Sequence, residues 1–451
     1  MEKNMTVGNP MQIILNFTIP VFIGNVFQQF YSMVDTIIVG QFVGTKALAA
    51  VGSTGTIMFL IIGFLLGLTT GITVLTAQRF GVGDMDAMRR TVGSAGTLSI
   101  IISILMTIIS MLGMKPLLHL MNTPADIFED AYTYIMIICA GIFAQVLYML
   151  LASILRALGN SKTPLYFLII SAVLNIILDL ILIINFHMGV AGAAYATVIS
   201  QGVSGILCIL YIIKKVPILH LKKDDWKLRG TIVKNQLGIG LPMAFQYSIT
   251  AIGTTMVQSA LNGLGSTYVA AFTAASKIEQ MLSQAFVSLG VAISTFAAQN
   301  MGAGKKARIR QGFAATTKLG VIYSIFSMAL IMLVGKYMTL LFVSENVDQI
   351  MKFVDIYLKC AGIFFIPLAL VNIYRNGIQG MGYGLLPMTA GIAELVGRGV
   401  VAVVAASLGS YLGICLASPA AWVLATILLL VTYFYIVKDY PRHELFTKPL
   451  S

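Results

Sequence analysis

Apolar runs of roughly 20 residues recur along nearly the whole of this 451-residue chain, and that is the length an α-helix needs to cross a hydrocarbon core of about 30 Å. The runs fall at 12–39, 48–78, 90–113, 130–155, 164–186, 189–214, 236–262, 268–298, 314–342, 352–376, 386–408 and 413–437. Inside lipid each backbone N–H and C=O must be satisfied by the protein itself, which makes helices the spanning element for runs of this length. The expectation is an all-α integral membrane protein of twelve transmembrane helices. Composition agrees: with 58% of residues hydrophobic and 10% charged, the chain cannot coat a water-soluble globule of its size. No small-residue cleavage site follows the first span, so that span is expected to be retained rather than removed as a signal peptide.

The net charge of +12 is explained by a membrane without appeal to nucleic acid, because Lys and Arg collect in cytoplasmic loops. With the amino terminus placed in the cytoplasm, 22 of the 29 basic residues, Arg375 among them, fall in loops and termini on that side. Lys46, Lys115, Lys336 and Lys352 fall on the other side, and Lys277, Lys359 and Arg398 fall inside helices. Both termini are therefore expected to be cytoplasmic. No aromatic-interleaved basic face is left over for RNA or DNA. Cys139, Cys208, Cys360 and Cys415 lie within spans at no metal-binding spacing and read as small apolar packing residues.

An internal duplication sets the architecture. After the second span the chain reads Ala77-Gln78-Arg79-Phe80-Gly81-Val82-Gly83, and after the eighth it reads Ala298-Gln299-Asn300-Met301-Gly302-Ala303-Gly304. Arg89 likewise recurs 221 positions later as Arg310, Pro20 recurs 222 later as Pro242, and Gly159 and Pro164 recur 223 later as Gly382 and Pro387. The chain then divides into an N-lobe at 1–214, a basic cytoplasmic linker at 215–235 and a C-lobe at 236–451. An even number of helices per repeat makes both halves enter from one side, as in parallel-repeat transporters, where substrate lies between two bundles that give alternating access. Pro20 and Pro242 read either as hinges or as places of close helix packing.

Acids inside a bilayer cost about 2.5–3.5 kcal/mol each on insertion scales, so each one calls for a partner or a purpose. Four stand out: Asp35, Asp179, Glu279 and Glu394. Glu394 and Arg398 sit four apart on one helix and read as a self-neutralising pair. Glu279 is two residues from Lys277, so the two point to different faces; they are structural or, with Gln280, line a cavity. The six spans of the first half hold no Lys or Arg, so Asp35 and Asp179 have no cation within their own bundle and must be protonated, hydrated or ion-bound part of the time. Gln28, Tyr31 and Asp35 share a helical stripe, as do Ser171, Asn175 and Asp179, and Thr197 and Gln201. Such stripes face a bundle interior or a watery cavity.

No enzyme motif competes. His119, His187, His220 and His443 lack metal spacing, no glycine-rich loop is followed by Lys-Ser/Thr, and no Ser-His-Asp set is in evidence. The Gly81/Gly83 and Gly302/Gly304 loops read as tight turns.

The two halves, Pro20, the run Val34-Asp35-Thr36-Ile37-Ile38-Val39-Gly40, the Gln78/Gln299 pair, the segment from Leu155 through Gly159 to Pro164, and Asn175 with Asp179 resemble the multidrug and toxic compound extrusion (MATE) family over residues 10–440, in its bacterial DinF-like or MepA-like branch. The resemblance implies a V-shaped pair of pseudo-symmetric six-helix bundles in a bacterial plasma membrane, exporting organic, often cationic and lipophilic compounds in exchange for H⁺ or Na⁺ and needing no other cofactor. It also implies a coupling site at Asp35, Asn175, Asp179 and Thr197, with Na⁺ held at Asp35, Asn175 and Asp179 if that is the ion. Gln28 and Tyr31 match cavity positions, and other branches of the family place coupling carboxylates in the C-lobe, where Glu279 is the local candidate. From the residues themselves, Gln201, Lys277, Glu279 and Gln280 read as lining the substrate cavity, and Pro20, Pro242, Glu394 and Arg398 as structural or hinge positions. The partners implied are small drug-like molecules and lipid, with the chain acting as a monomer. A lipid-linked oligosaccharide flippase of the same superfamily is the alternative, and a channel or sensor is the reading from another class.

Overall fold

The computed structural model describes residues 3–121, 123–339 and 347–440; Arg442, His443 and Lys448 lie outside them. Among the described residues all regular structure is helical. The first half runs α1 (Pro10–Ile38), α2 (Thr45–Ser53), α3 (Gly55–Val82), α4 (Met85–Leu120), α5 (Phe128–Ala140), α6 (Ile142–Ala157), α7 (Lys162–Leu180) and α8 (Gly189–Lys215). The second runs α9 (Gly230–Asn262), α10 (Ser266–Gly302), α11 (Lys306–Leu330), α12 (Lys336–Thr339), α13 (Val347–Ile363), α14 (Phe365–Gly380), α15 (Leu385–Ser407) and α16 (Tyr411–Val437).

Among the described residues nine helical stretches are long and apolar enough to cross a membrane, and the pairs α5/α6 and α13/α14, each bent by 49°, make two more when each pair is one span. The remaining expected span, the seventh at 236–262, lies in α9, whose 33 residues give about 50 Å of helix. Gln236, Gln246 and Gln258 interrupt its apolar run.

The helices cluster into two units, one of Met1–Asn4 with Ile23–Ala244 and the other of Met5–Phe22 with Phe245–Ser451. The cuts fall inside α1 and α9, each two residues beyond a helix-interior proline, Pro20 and Pro242. Proline withdraws the N–H that would bond the carbonyl four residues back, so each long helix carries its weakened turn at the same repeat position.

In the first unit α3 meets the leading part of α9 backbone to backbone. A Cβ at Gly67 would stand 2.6 Å from the Met243 carbonyl oxygen, and one at Gly71 would stand 2.5 Å from the Gly240 Cα. Small residues four apart let helices approach this closely, which dispersion rewards where lipid is as apolar as the side chains. In the second unit Phe286, Phe296, Phe313 and Phe365 are fully buried in one large apolar cluster.

The duplication recurs in local geometry. Gly83 (φ 87°) and Gly304 (φ 69°), which occupy equivalent places, both take the left-handed conformation that ends a helix without a Cβ penalty. Arg89 bonds the Ile218 carbonyl beyond the end of α8 at 3.4 Å, and its counterpart Arg310 bonds the Tyr440 carbonyl beyond the end of α16 at 3.1 Å.

The amino-terminal segment is fixed to the second unit. The Met5 N–H donates to Gln299 Oε1 at 2.8 Å, and the Met5 carbonyl accepts from Arg308 at 3.0 Å and Asn300 at 3.3 Å. The Thr6 carbonyl accepts from Lys305 at 2.7 Å and the Gly8 carbonyl from Arg308 at 2.8 Å.

Candidate functional site

Helix α7 presents Ser171, Asn175 and Asp179 on one buried face, with Asp179 at 0% and Asn175 at 1% exposure. That face is turned inward because α7 packs along α8, where Thr197 is also buried. Asn175 Nδ2 donates to Thr197 Oγ1 at 3.4 Å, and the Thr197 hydroxyl donates to the Ala193 carbonyl one turn back at 3.1 Å. From α1, Tyr31 is hydrogen bonded to Thr197 through its hydroxyl. One turn further along α1, the Asp35 carboxyl stands near enough to the Asp179 carboxyl for the two to act on each other electrostatically. Asp35 Oδ1 is buried without a hydrogen-bond partner among the described residues.

The surroundings are apolar. Ile38 at the end of α1, Val39 just beyond it, Ile138 of α5, Ile183 and Ala193 form one buried cluster with Tyr134 beside the acids, and both carboxyls act electrostatically on the Tyr134 phenol. Beyond Asp35 the chain widens into a π-helical turn at Val39–Val43, and beyond Asp179 into another at Ile181–Asn185. The two turns pack on each other. Such turns break the regular helical bonding pattern and concentrate at functional sites.

Ionising both carboxyls would set two like charges side by side. A second charge in an apolar site would add like-charge repulsion to the cost of desolvation.

The α1 stripe expected from spacing divides in space: Asp35 and Tyr31 are half-buried, whereas Gln28 is exposed. Gln201, one turn beyond Thr197 on α8, is half-buried. Tyr134 joins the site from a helix in which sequence spacing singled out nothing. An aromatic in an apolar run gives no local signal of its own, and only packing brings it to the acids.

The second unit handles its acids differently. Tyr357 of α13 donates to Glu279 Oε2 at 2.9 Å, and Arg398 of α15 lies near enough to act on Glu279 electrostatically. Glu394 accepts from Arg398 at 2.7 Å through one oxygen and from Arg375 at 2.5 Å through the other. Arg375 corrects the sequence reading, which set it in a cytoplasmic loop: it belongs to α14, and its largely buried side chain is there because the Glu394 carboxylate supplies a counter-charge. Lys277 and Gln280 are exposed, and among the described residues Lys277 forms an ion pair with neither acid.

A family model described as MatE matches residues 20–181 and again 242–404, so its second match starts 222 positions after its first, at the spacing of Pro20 and Pro242. A Bacillus subtilis protein named "Probable multidrug resistance protein YpnP" is 32% identical over 83% of this chain and 83% of its own length. A Thermotoga maritima protein named "Probable multidrug resistance protein NorM" is 26% identical over 83% of this chain and 81% of its own length. In fold, the chain is similar to an outward-facing multidrug resistance MATE family transporter of the MOP superfamily, with a TM-score of 0.91 at 23% identity over 97% of this chain and 98% of that one.

Proposed function

We propose, from the premise that this chain belongs to the MatE family of multidrug efflux transporters, that it exports lipophilic organic cations in exchange for protons carried by the Asp35–Asp179 pair. The family membership makes the chain a multi-pass membrane transporter and not an enzyme. The exchange with protons rests on one observation, the juxtaposition of two acids beside a buried apolar cluster. A site built this way gains and loses one proton as a unit. When the proton leaves, the pair holds two negative charges and attracts a cationic drug; when a proton returns, the attraction falls and the drug is released. Asn175 and Thr197 orient the acids through the hydrogen bonds that join α1, α7 and α8.

The energy is sufficient for uphill export. Each pH unit supplies about 1.4 kcal/mol per proton, and because one proton enters for each singly charged cation that leaves, no net charge moves and the pH gradient carries the exchange. The excess of basic residues in the loops on one side favours cytoplasmic termini.

The test is efflux of a fluorescent lipophilic cation from proteoliposomes under an imposed pH gradient and, separately, an imposed Na⁺ gradient. The expected result is uphill movement driven by the pH gradient alone and lost in Asp35→Asn and Asp179→Asn. Transport driven by Na⁺ alone would make sodium the coupling ion. Normal uphill efflux by both variants would remove the carboxyl pair from the mechanism.

A further inference from the structure

The segment between the repeats, which the transport reading leaves unused, has the composition and position of a lipid-binding surface. Lys214 and Lys215 end α8, and Lys222, Lys223, Lys227 and Arg229 follow before α9, against two acids, Asp224 and Asp225. Asp224 is occupied by Lys227 at 2.7 Å and Arg229 at 2.6 Å, and Asp225 is buried and accepts from the Lys222 N–H at 2.8 Å. Lys214, Lys215, Lys222 and Lys223 are exposed, and among the described residues none of them forms an ion pair. The carboxylate facing this group from α4 is Asp86, which Lys222 reaches electrostatically and which is bonded to Arg89 at 2.6 Å.

This segment is held on α4. The Asp225 carbonyl oxygen lies 2.2 Å from where a Cβ of Gly93 would stand, and the Trp226 ring lies 2.8 Å from that of Gly96, so only glycine admits the contact at either place. Thr97 adds a hydrogen bond from its hydroxyl to the Trp226 carbonyl at 2.8 Å. The depth of this contact along α4 is informative. The large apolar side chains that α4 exposes begin at Ile100 and Ile101 and continue through Ile104 and Leu105, so Trp226 sits one turn outside the start of the lipid-facing belt. It remains 44% exposed there, with Leu228 at 43%. Tryptophan at the edge of an apolar belt belongs to the headgroup layer, and basic residues there attract anionic lipid.

We infer that residues 214–229 form a docking surface for anionic phospholipid headgroups, with Trp226 and Leu228 seated in the interfacial layer and Lys214, Lys215, Lys222 and Lys223 binding the lipid phosphate. The surface distinguishes lipids by charge, so an anionic lipid should be enriched beside Trp226 over a zwitterionic one of the same chain length.

The chain holds two tryptophans, and the fluorescence lost between the full-length protein and its Trp226→Phe variant isolates Trp226. Both are reconstituted in phosphatidylcholine vesicles containing a minor fraction of brominated phosphatidylglycerol or the same fraction of brominated phosphatidylcholine. The Trp226 signal should be quenched about twofold more strongly by the anionic lipid. That ratio should fall to one when Lys214, Lys215, Lys222 and Lys223 are all replaced by Gln, and also when salt is raised. A ratio of one in the unmodified protein, a ratio that survives the four substitutions, or no quenching of Trp226 by either lipid would each overturn the inference.

Discussion

Asp179 in the first unit and Glu394 in the second are both buried acids, at 0% and 6% exposure, yet their neighbours differ in kind. Asp179 faces another carboxyl, that of Asp35, whereas Glu394 lies between two guanidinium groups. An acid between two arginines is a fixed charge, because protonating it would strand two buried cations. An acid against an acid is a variable charge, because a proton must come and go for the pair to change partners. Depth of burial is therefore a poor guide to which carboxylate does chemistry; the partner decides.

The comparison can be broken where the fixed charge is tested. Glu394→Gln leaves Arg375 and Arg398 without a counter-charge and should cost about 3–5 kcal/mol of stability, read as a large fall in the thermal midpoint in detergent; an unchanged midpoint would deny the second unit its fixed ion triad. Asp179→Asn should do the opposite, leaving the midpoint level or higher while uphill efflux drops about 100-fold, or about 2.7 kcal/mol. If Asp179→Asn instead unfolds the protein with no separate transport defect, the two acids are of one kind after all.

A smaller contrast sharpens the difference between the repeats. Where the first unit has Gly67 and Gly71, the second has Ser288 and Ala292 at the same offset of 221, both fully buried. Gly71→Ala should cost about 1–3 kcal/mol by forcing α3 from α9, and Ala292→Gly only about 1 kcal/mol from helix propensity, both measured by thermal unfolding. The smallest effect expected is that of Tyr357→Phe, which removes one hydrogen bond to Glu279 and should cost about 0.5–1.5 kcal/mol.

Much of this was legible in the amino-acid order. The spans were written in apolar runs, and the duplication in the Gln78/Gln299 and Pro20/Pro242 pairs, because lipid and a repeated backbone each impose a one-dimensional signature. The alignment of Asn175 with Asp179, and of Tyr31 with Asp35, followed from helical spacing. Contacts between helices were not legible. Arg375 sits at the end of an apolar run, where loop and helix look alike, and only the position of Glu394 on another helix determines which it joins. Tyr134 and Tyr357 are single aromatics in apolar segments, and nothing within four residues of either marks it as the neighbour of an acid. The docking of residues 222–226 on α4 needed Gly93 and Gly96, which in sequence read like any glycine in a membrane helix.

The pinning of Met5 bears on the order in which the protein is made. Its N–H bonds Gln299, 294 residues later in the chain, and at a synthesis rate of roughly 5–20 residues per second that partner does not exist until about 15–60 s after Met5 leaves the ribosome. For that interval this segment of the second unit is a guest without a host, so its docking must follow the synthesis of the helix that receives it.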